Sequence, residues 1–212
     1  MTREAGRQTR HSFSFGSSYD PQRVSFGPMF AFNDDLLGSG AGYDAHDHRD
    51  VVLVTWVVSG ALEHEDASGC VTQSAGELAI TRSGSGITHA ERSAGGVTRF
   101  VQAWLRPGDP GGRPSRRTTT PDLGGRDLGV VADQQALGIP GATLRIAEVP
   151  GGRSVTVPEA PLRYVFLATG ALTRSSLTEP LAAGDAFEIT GEREIVLTAG
   201  ALTQLLVWSF AG

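Results

Sequence analysis

The 212-residue sequence predicts an all-β protein, a sandwich or barrel built from two related units. Short β-branched runs alternate with turns, and 28 glycines and 11 prolines separate these runs. A stretch rich in proline, glycine and arginine, Arg106–Arg126, contains almost no apolar residue and is expected to act as a linker. The same short motif occurs on both sides of this stretch, which favours two units of one kind.

Eight runs have the length and composition of strands, each rich in valine, isoleucine, threonine or aromatic residues and bounded by turn residues. In chain order they are Val51–Val58, Glu77–Thr81, Thr98–Leu105, Thr143–Glu148, Leu162–Ala168, Ala186–Thr190, Glu194–Thr198 and Thr203–Phe210. No long amphipathic helix is predicted. Only Val131–Leu137, with its alanine, glutamines and leucine, favours a helical turn or two.

The repeated motif predicts a duplicated β unit. In the first copy, Val58-Ser59-Gly60-Ala61-Leu62 is followed by Ala75-Gly76-Glu77 and Ile80-Thr81. In the second copy, Ala168-Thr169-Gly170-Ala171-Leu172 is followed by Ala183-Gly184-Asp185 and Ile189-Thr190. The spacings differ by only one or two residues, so we expect equivalent turns in the two units.

Composition excludes several classes of chemistry. All 18 basic residues are arginine, so no Schiff-base lysine and no P-loop lysine can exist. One cysteine, Cys70, excludes intrachain disulfides and iron–sulfur ligation. A net charge of -5 with scattered arginines argues against nucleic-acid binding. Because Met1–Arg10 lacks an apolar signal segment and no apolar run could span a membrane, we expect a cytoplasmic protein without membrane contact.

Two pairs of side chains have the spacing of metal ligands on strands. His46-x-His48 places two imidazoles on one face of a strand, because residues i and i+2 point the same way. His89-x-Glu91 repeats this spacing with an imidazole and a carboxylate. Three nitrogen donors and one anionic oxygen donor suit a divalent transition metal and leave open positions for substrate or oxygen.

Ordered motifs around these pairs resemble the pirin family of bicupins, and in particular its bacterial quercetin 2,3-dioxygenase-like branch. They are His11-Ser12-Phe13-Ser14-Phe15, Tyr19-Asp20-Pro21, Phe26-Gly27-Pro28, Asn33-Asp34-Asp35, Tyr43-Asp44-Ala45-His46-Asp47-His48-Arg49-Asp50, Leu62-Glu63-His64-Glu65-Asp66 with Gly69, Gly84-Ser85-Gly86-Ile87-Thr88-His89-Ala90-Glu91, and Gln102-x-Trp104. The resemblance covers most of residues 9–105.

The resemblance implies two tandem cupin barrels of the double-stranded β-helix, or jelly-roll, type. Residues 1–106 would form the metal-binding cupin, 107–126 a linker and 127–212 a second cupin without ligands. The family's four ligands fall on His46, His48, His89 and Glu91. Iron(II) is typical of the family, and nickel, manganese, cobalt, copper or zinc also occur among cupins.

The sequence departs from the wider pattern in two places and in its second half. Val52 and Leu53 stand where most cupins have a glutamate, so the ligand carboxylate falls on Glu91, as in pirins. Gly84 replaces a common proline. Aligning the repeats places Thr156, Pro158, Thr198 and Gly200 over the four ligands, and no histidine follows His89. The second unit therefore cannot build this site.

Family resemblance implies oxidative ring cleavage of a flavonol such as quercetin by dioxygen, with Glu91 serving as ligand and as the base that takes the substrate proton. The partners would then be a small aromatic substrate and dioxygen. The alternative is a metal-binding redox sensor that regulates a protein partner without dioxygenase turnover. A third reading, a structural bicupin without metal, requires the ligand set to be coincidental.

Some neighbouring residues allow two readings. His64 suits either a place beside the ligands or a solvated strand edge. Asp34 and Asp35 could orient ligands, but formation of a turn after a strand is favoured. The aromatic residues near the site could line a pocket, although core packing is the default for each; they are Phe30, Phe32, Trp56 and Trp104.

Overall fold

A computed structural model of the chain describes residues 1–14, 19–124, 128–174, 180–191 and 193–212. The chain forms two compact units, Met1–Pro121 and Asp122–Gly212. Phe15 of the N-terminal motif, residues 125 and 126 of the predicted linker and the first residue of the predicted second cupin lie outside the described residues. No helix in the described part of the chain is long and apolar enough to cross a membrane.

The first unit is made of antiparallel strands. They are β1 (Thr2–Glu4), β2 (Arg7–His11), β3 (Met29–Leu37), β4 (Gly42–His48), β5 (Val52–Ser59), β6 (Ala61–Asp66), β7 (Gly69–Ser74), β8 (Leu78–Arg82), β9 (Ile87–Ser93), β10 (Thr98–Leu105) and β11 (Ser115–Thr119). One sheet has the order β1-β2-β3-β10-β5-β8-β11 and the other β4-β9-β6-β7.

The core of this unit lies between its two sheets. Leu37, Val57 and Phe100 of the larger sheet pack against Leu62 of the smaller one, and each is at most 1% exposed. Fully burying such a side chain contributes about 1.5–3 kcal/mol relative to leaving it exposed. Val52 and Leu53, where most cupins have a glutamate, are also buried. Apolar packing therefore fixes the smaller sheet, which carries His46, His48, His64 and His89, on the larger one.

The second unit repeats this arrangement on a smaller scale. Its elements are β12 (Gly129–Ala132), α1 (Gln134–Leu137), β13 (Thr143–Val149), β14 (Ser154–Val157), β15 (Leu162–Thr169), β16 (Leu172–Arg174), β17 (Ala186–Thr190), β18 (Ile195–Ala199) and β19 (Thr203–Phe210). The sheets have the orders β12-β13-β19-β15-β17 and β14-β18-β16. Asp133 begins α1 by accepting a hydrogen bond from Ala136 N, and Gly138 ends it in the left-handed conformation.

The eight predicted strands are all present, each within one residue of its predicted bounds, and three of them match at both ends. The predicted helix Val131–Leu137 begins three residues later than expected, because Val131 and Ala132 belong to β12. The all-β fold class is therefore confirmed.

Equivalent hydrogen bonds confirm the sequence repeat. Thr98 Oγ1 accepts from Ala61 N at 3.3 Å and donates to Ala61 O at 2.7 Å. In the second unit, Thr203 Oγ1 accepts from Ala171 N at 3.1 Å and donates to Ala171 O at 3.0 Å. The two hydrogen bonds of one unit thus recur in the other with the same atoms.

Strand register corrects the alignment of the repeats around the ligands. Leu62 pairs with Ser93 as Leu172 pairs with Ala199, so His89 and Glu91 correspond to Ile195 and Leu197, not to Thr198 and Gly200. His46 pairs with His89 as Val157 pairs with Ile195, so Val157 replaces His46. All three replacements belong to the apolar core of the second unit or pack against it.

The predicted linker contains a strand that its composition does not indicate. Ser115–Thr119 forms β11 and pairs along its full length with β8, at the edge of the larger sheet. Arg116 in this strand is half-buried and donates to Gln73 Oε1 at 3.3 Å. The edge of β8 offers backbone partners to any extended chain, so a polar, β-branched run can pair there without an apolar face.

Gly84, which replaces the common cupin proline, lies against this same segment. Its φ is +44°. A Cβ atom at Gly84 would lie 1.9 Å from the carbonyl oxygen of Gly112, and Ser85 N donates to that oxygen at 2.8 Å. The departure from the family pattern is therefore required by the close approach of two backbone segments.

The motif glycines Gly60 and Gly170 provide a test of the repeat. Both have φ +76°, and a Cβ atom at either would lie 2.4 Å from a backbone carbonyl oxygen. We expect Gly60→Ala and Gly170→Ala each to destabilise the protein by about 2–5 kcal/mol, through left-handed strain plus overpacking. Gly76→Ala is the matched control, because Gly76 has φ +82° with open space around it, and should cost only about 1–2 kcal/mol. Thermal unfolding measures all three, and equal costs would contradict the role of close packing.

Candidate metal centre

A β-bulge in β4 places His46 and His48 on the inner face of the smaller sheet. Tyr43 pairs with Glu91 and His46 with His89, so Asp44 and Ala45 together oppose a single residue of β9. Because of this extra residue, Tyr43 and His46 face the same side despite their odd spacing, and their rings lie 6.3 Å apart. Alternation then brings His48 to that side as well.

Three imidazoles meet at this point. The rings of His46, His48 and His89 have centroids 4.5–5.0 Å apart. One ligand nitrogen from each ring lies within 4.8 Å of the others, so the three residues could hold a metal ion. Glu91 belongs to a second such group, with His64 and His89, all of it buried. His89 is common to both groups.

The hydrogen bonds of the described residues leave free those imidazole nitrogens that could bind a metal. His46 Nδ1 lies 2.7 Å from the carbonyl oxygen of Asp44 and must donate to it, which leaves Nε2 with a lone pair. Among the described residues, Nε2 of His48 and Nε2 of His89 are buried without a hydrogen-bond partner. Buried polar atoms of this kind need an explanation, and a divalent transition metal with imidazole ligands provides one.

Burial disfavours the charged form of two of these imidazoles, His48 and His89. Burial lowers the pKa of His48 to about 4 and the pKa of His89 to about 3, and the neighbouring histidines lower both values further. Neutral imidazole is the form that binds metals. His48 and His89 can therefore bind a cation at neutral pH without first losing a proton.

Glu91 is held by an amide of fixed orientation. Trp104 Nε1, which can only donate, bonds Gln102 Oε1 at 2.7 Å. The amide nitrogen of Gln102 must then face Glu91, whose two carboxylate oxygens it approaches at 3.0 and 3.1 Å. Burial raises the pKa of Glu91 to about 7, and the hydrogen bond from Gln102 opposes this rise.

The sequence allows His64 to lie either beside the ligands or at a solvated strand edge, and the structure excludes the strand edge. It is 3% exposed, opposes Glu91 across β6 and β9, and contacts His89 through their Nδ1 atoms at 3.2 Å. His64-x-Asp66 is a third pair at i, i+2 spacing on the same face of the sheet. That spacing was the sequence signal for placing Asp66 with the histidines, and it was missed.

A cavity of about 450 Å³ opens beside His46 and Glu91, and its volume lies within the range of about 300–1,000 Å³ usual for small-molecule sites. Its lining combines aromatic rings with hydrogen-bonding groups: Arg7, His11, Asn33, Asp35, Tyr43, Asp44, Ala45, His46, Glu91, Phe100, Gln102 and Trp104. Of the four aromatic residues with two readings, Trp104 lines this cavity and packs edge-on against His48 at 4.8 Å. Phe32 and Trp56 are buried core residues.

The prediction of a turn at Asp34 and Asp35 is wrong. Both residues lie inside β3 and are buried, at 8% and 2% exposure. Asp34 forms an ion pair with Arg99 at 2.8 Å. Asp35 Oδ1 accepts from Thr9 Oγ1 at 2.5 Å and from the Tyr43 hydroxyl at 2.6 Å. Partners distant in the sequence outweigh the local turn preference of aspartate.

The raised pKa of Asp35 predicts that the protein loses stability as the pH rises. Burial raises the pKa of this carboxyl from 3.8 to about 6, so the folded state holds the proton more tightly than the unfolded state. Its contribution is complete below pH about 4 and is lost as the pH rises through about 6, a difference of about 3 kcal/mol. Asp35→Asn should remove this part of the loss and leave the part due to Glu91, whose pKa burial also raises. Urea unfolding of chelator-treated protein at pH 4.5 and pH 8 would measure the difference between the variant and wild-type protein.

Thr9→Val is the companion variant for this experiment. The Thr9 hydrogen bond lowers the pKa of Asp35, so its removal should extend the loss of stability to higher pH. If wild-type protein and Asp35→Asn changed in parallel over this pH range, Asp35 could not be its source.

Comparisons with known proteins agree with the fold. A family model described as Pirin matches residues 1–105. A Mycobacterium bovis protein named "Putative quercetin 2,3-dioxygenase" is 36% identical over 98% of this chain and 90% of its own length. An Escherichia coli protein named "Quercetin 2,3-dioxygenase" is 36% identical over 49% of this chain and 46% of its own. The crystal structure of bacterial pirin YhhW in complex with nickel(II), from Escherichia coli, matches with a TM-score of 0.87 and 23% identity, covering 99% of this chain and 94% of that one.

Proposed function

The chain belongs to the pirin family, and from this premise we propose that it is a metal-dependent dioxygenase that cleaves a flavonol-type substrate such as quercetin. The observation that carries the proposal is the convergence of three imidazoles beside a buried carboxylate and an aromatic-lined cavity. Relatives named as quercetin 2,3-dioxygenases support the choice of substrate class.

We assign His46, His48, His89 and Glu91 as the ligands of one divalent transition metal. The Nε2 atoms of His48 and His89, which lack a partner among the described residues, support the histidine ligands, and the buried Glu91 carboxylate lies in a group of candidate ligands together with His89. Nickel in the similar YhhW structure supports a divalent metal, and iron(II) is our choice on family grounds. When bound, the metal supplies Lewis-acid and one-electron chemistry toward the flavonol hydroxyl and dioxygen.

Glu91 would also take the proton of the flavonol hydroxyl. Gln102 holds both of its carboxylate oxygens, and Trp104 holds Gln102, so the base lies at a fixed position on the cavity wall. A positioned general base contributes about 10²–10⁴-fold to rate.

The rest of the cavity suits a planar polyphenol. Trp104 offers aromatic surface, while Asn33 and Tyr43 offer hydrogen-bonding groups for ring hydroxyls. One flavonol and one dioxygen would give one ester of two phenolic acids and one carbon monoxide, with both dioxygen atoms in the ester product. The reaction balances without an external reductant.

Oxygen uptake tests this proposal. Protein loaded with iron(II) or nickel(II) should consume quercetin and dioxygen in equal amounts and release carbon monoxide. If metal-loaded protein binds quercetin without oxygen uptake, dioxygenase activity is excluded and the metal-binding regulatory role becomes the better reading. Metal-dependent capture of a protein partner would then support that role.

A further inference from the structure

We propose that Asp66 and His64 form a directed hydrogen-bond chain that fixes the tautomer of His89 and keeps its Nε2 free for metal. His64 and Asp66 are positioning residues, since neither is one of the ligands assigned above. The inference rests on the proposed metal site but not on the proposed dioxygenase reaction. It concerns the side of His89 that faces away from His46 and His48.

The chain starts at Asp66, whose two oxygens have different partners. Asp66 Oδ1 accepts from Ser68 N at 2.7 Å and from Ser68 Oγ at 2.5 Å, in the turn between β6 and β7. Asp66 Oδ2 lies 3.3 Å from His64 Nε2. An ionised carboxylate can only accept, so His64 Nε2 must carry a proton and donate it.

The direction of the remaining bond follows from this one. A neutral imidazole with its proton on Nε2 has a lone pair on Nδ1. His64 Nδ1 faces His89 Nδ1 at 3.2 Å, so His89 must donate there. His89 then has its own lone pair on Nε2, the buried atom that lacks a partner among the described residues. The tautomer needed for metal binding is thus set without reference to any metal.

The far end of the chain reaches a second opening of the first unit. Asp66 lines a cavity of about 510 Å³ together with Ser68, Thr88 and Arg116. Neither His46 nor Glu91 lines this cavity, whereas both line the one beside the three imidazoles. The chain therefore links His89 to a carboxylate outside the proposed substrate cavity. Outer partners of metal-binding histidines orient the ring and raise its basicity, and their loss costs about 10–100-fold in metal affinity.

Asp66→Asn and Asp66→Ala separate this role from simple turn formation. Asparagine would keep its carbonyl oxygen on the two Ser68 donors and turn its NH₂ group toward His64 Nε2. That donor would reverse the tautomer of His64 and oppose the Nδ1 proton of His89. Alanine leaves His64 Nε2 free to donate to water, so the rest of the chain survives.

Cobalt(II) binding is the test, measured by calorimetry and by the visible ligand-field spectrum of full-length protein. We expect Asp66→Asn to weaken binding by about 10–100-fold and to change the spectrum, and Asp66→Ala to weaken it by less. A turn-forming role predicts the opposite order, because asparagine preserves the turn and alanine does not. Glu65→Gln, which removes an exposed charge from the adjacent residue, should leave affinity unchanged.

His64 variants provide a second, independent comparison. His64→Leu leaves the Nδ1 proton of His89 buried without an acceptor and should weaken cobalt binding by about 10–100-fold. His64→Asn can place its carbonyl oxygen near the position of Nδ1 and should recover most of the affinity. Melting temperatures of the metal-free variants show whether each one folds.

The outcomes separate this inference from the proposed function. Cobalt binding by wild-type protein with equal affinity in Asp66→Asn and Asp66→Ala, or tighter binding in Asp66→Asn, overturns the chain alone. Absence of cobalt binding by wild-type protein overturns the metal site and the chain together. If Asp66→Asn binds cobalt more weakly than Asp66→Ala but wild-type protein does not turn over a flavonol, the hydrogen-bond chain is supported and only the dioxygenase activity is rejected.

Discussion

Glu91→Gln is expected to lower oxygen-dependent loss of quercetin by about 10²–10⁴-fold, the contribution of a positioned general base. Glutamine has the size of glutamate and can still accept from Gln102 through its carbonyl oxygen, so the packing of β9 is preserved. It cannot take a proton from a flavonol hydroxyl. Initial rates of oxygen uptake and of quercetin loss, measured on metal-loaded protein, give the change.

Metal content must be measured alongside these rates, because Glu91 has two proposed roles. If Glu91→Gln retains metal but loses turnover, loss of the base accounts for the change. If it loses both, the carboxylate is needed first as a ligand, and Glu91→Asp with added metal would be compared next. Glu65→Gln is the matched control and should be as active as wild-type protein. Unchanged turnover in metal-loaded Glu91→Gln would reject Glu91 as the base.

His46→Ala should abolish tight metal binding, raising the dissociation constant by more than the roughly 100-fold that follows loss of an outer partner. His46 is only half-buried, so its removal should leave the fold intact. Wild-type protein at a metal concentration of 100 times the dissociation constant gains about 2.7 kcal/mol of stability, and the variant should gain almost none. Elemental analysis and thermal unfolding with and without metal measure the two effects.

His11→Ala is the control for this experiment. His11 is another histidine of the first unit, but it hydrogen-bonds Asn33 and Thr2 and belongs to neither group of candidate ligands. Metal content should therefore remain that of wild-type protein. Equal metal content in His46→Ala and wild-type protein would reject the histidine site.

The fold was accessible from the sequence because its strands have strong local signals. Val52–Ser59 and Thr203–Phe210 are mostly apolar, β-branched or aromatic runs bounded by turn residues, and this local pattern is enough to predict a buried central strand. The weak strands were different. Met29–Leu37 carries the sequence Asn33-Asp34-Asp35, which favours a turn until Arg99, Thr9 and Tyr43 supply partners.

The candidate site was predicted in part for a similar reason. The spacing of His46 with His48 and of His89 with Glu91 is local, and alternation along a strand is enough to pair them. The bulge at Asp44 and Ala45 has no such signal, and it decides that Tyr43 shares the cavity with His46. The role of His64 depends on which strand lies beside β9, which is a property of topology.

The apolar replacements in the second unit show what the histidine site costs the first. Val157 and Leu197 occupy positions equivalent to His46 and Glu91 and are at most 1% exposed. The same scaffold thus occurs twice in this chain, once with the candidate metal ligands and once without them. Where the candidate ligands are absent, apolar side chains fill the equivalent positions, and these side chains need no hydrogen-bond partner. The first unit instead carries the Nε2 atoms of His48 and His89, which are buried without a partner among the described residues, so the layer that holds the candidate ligands gives up stability that the second unit gains from apolar packing.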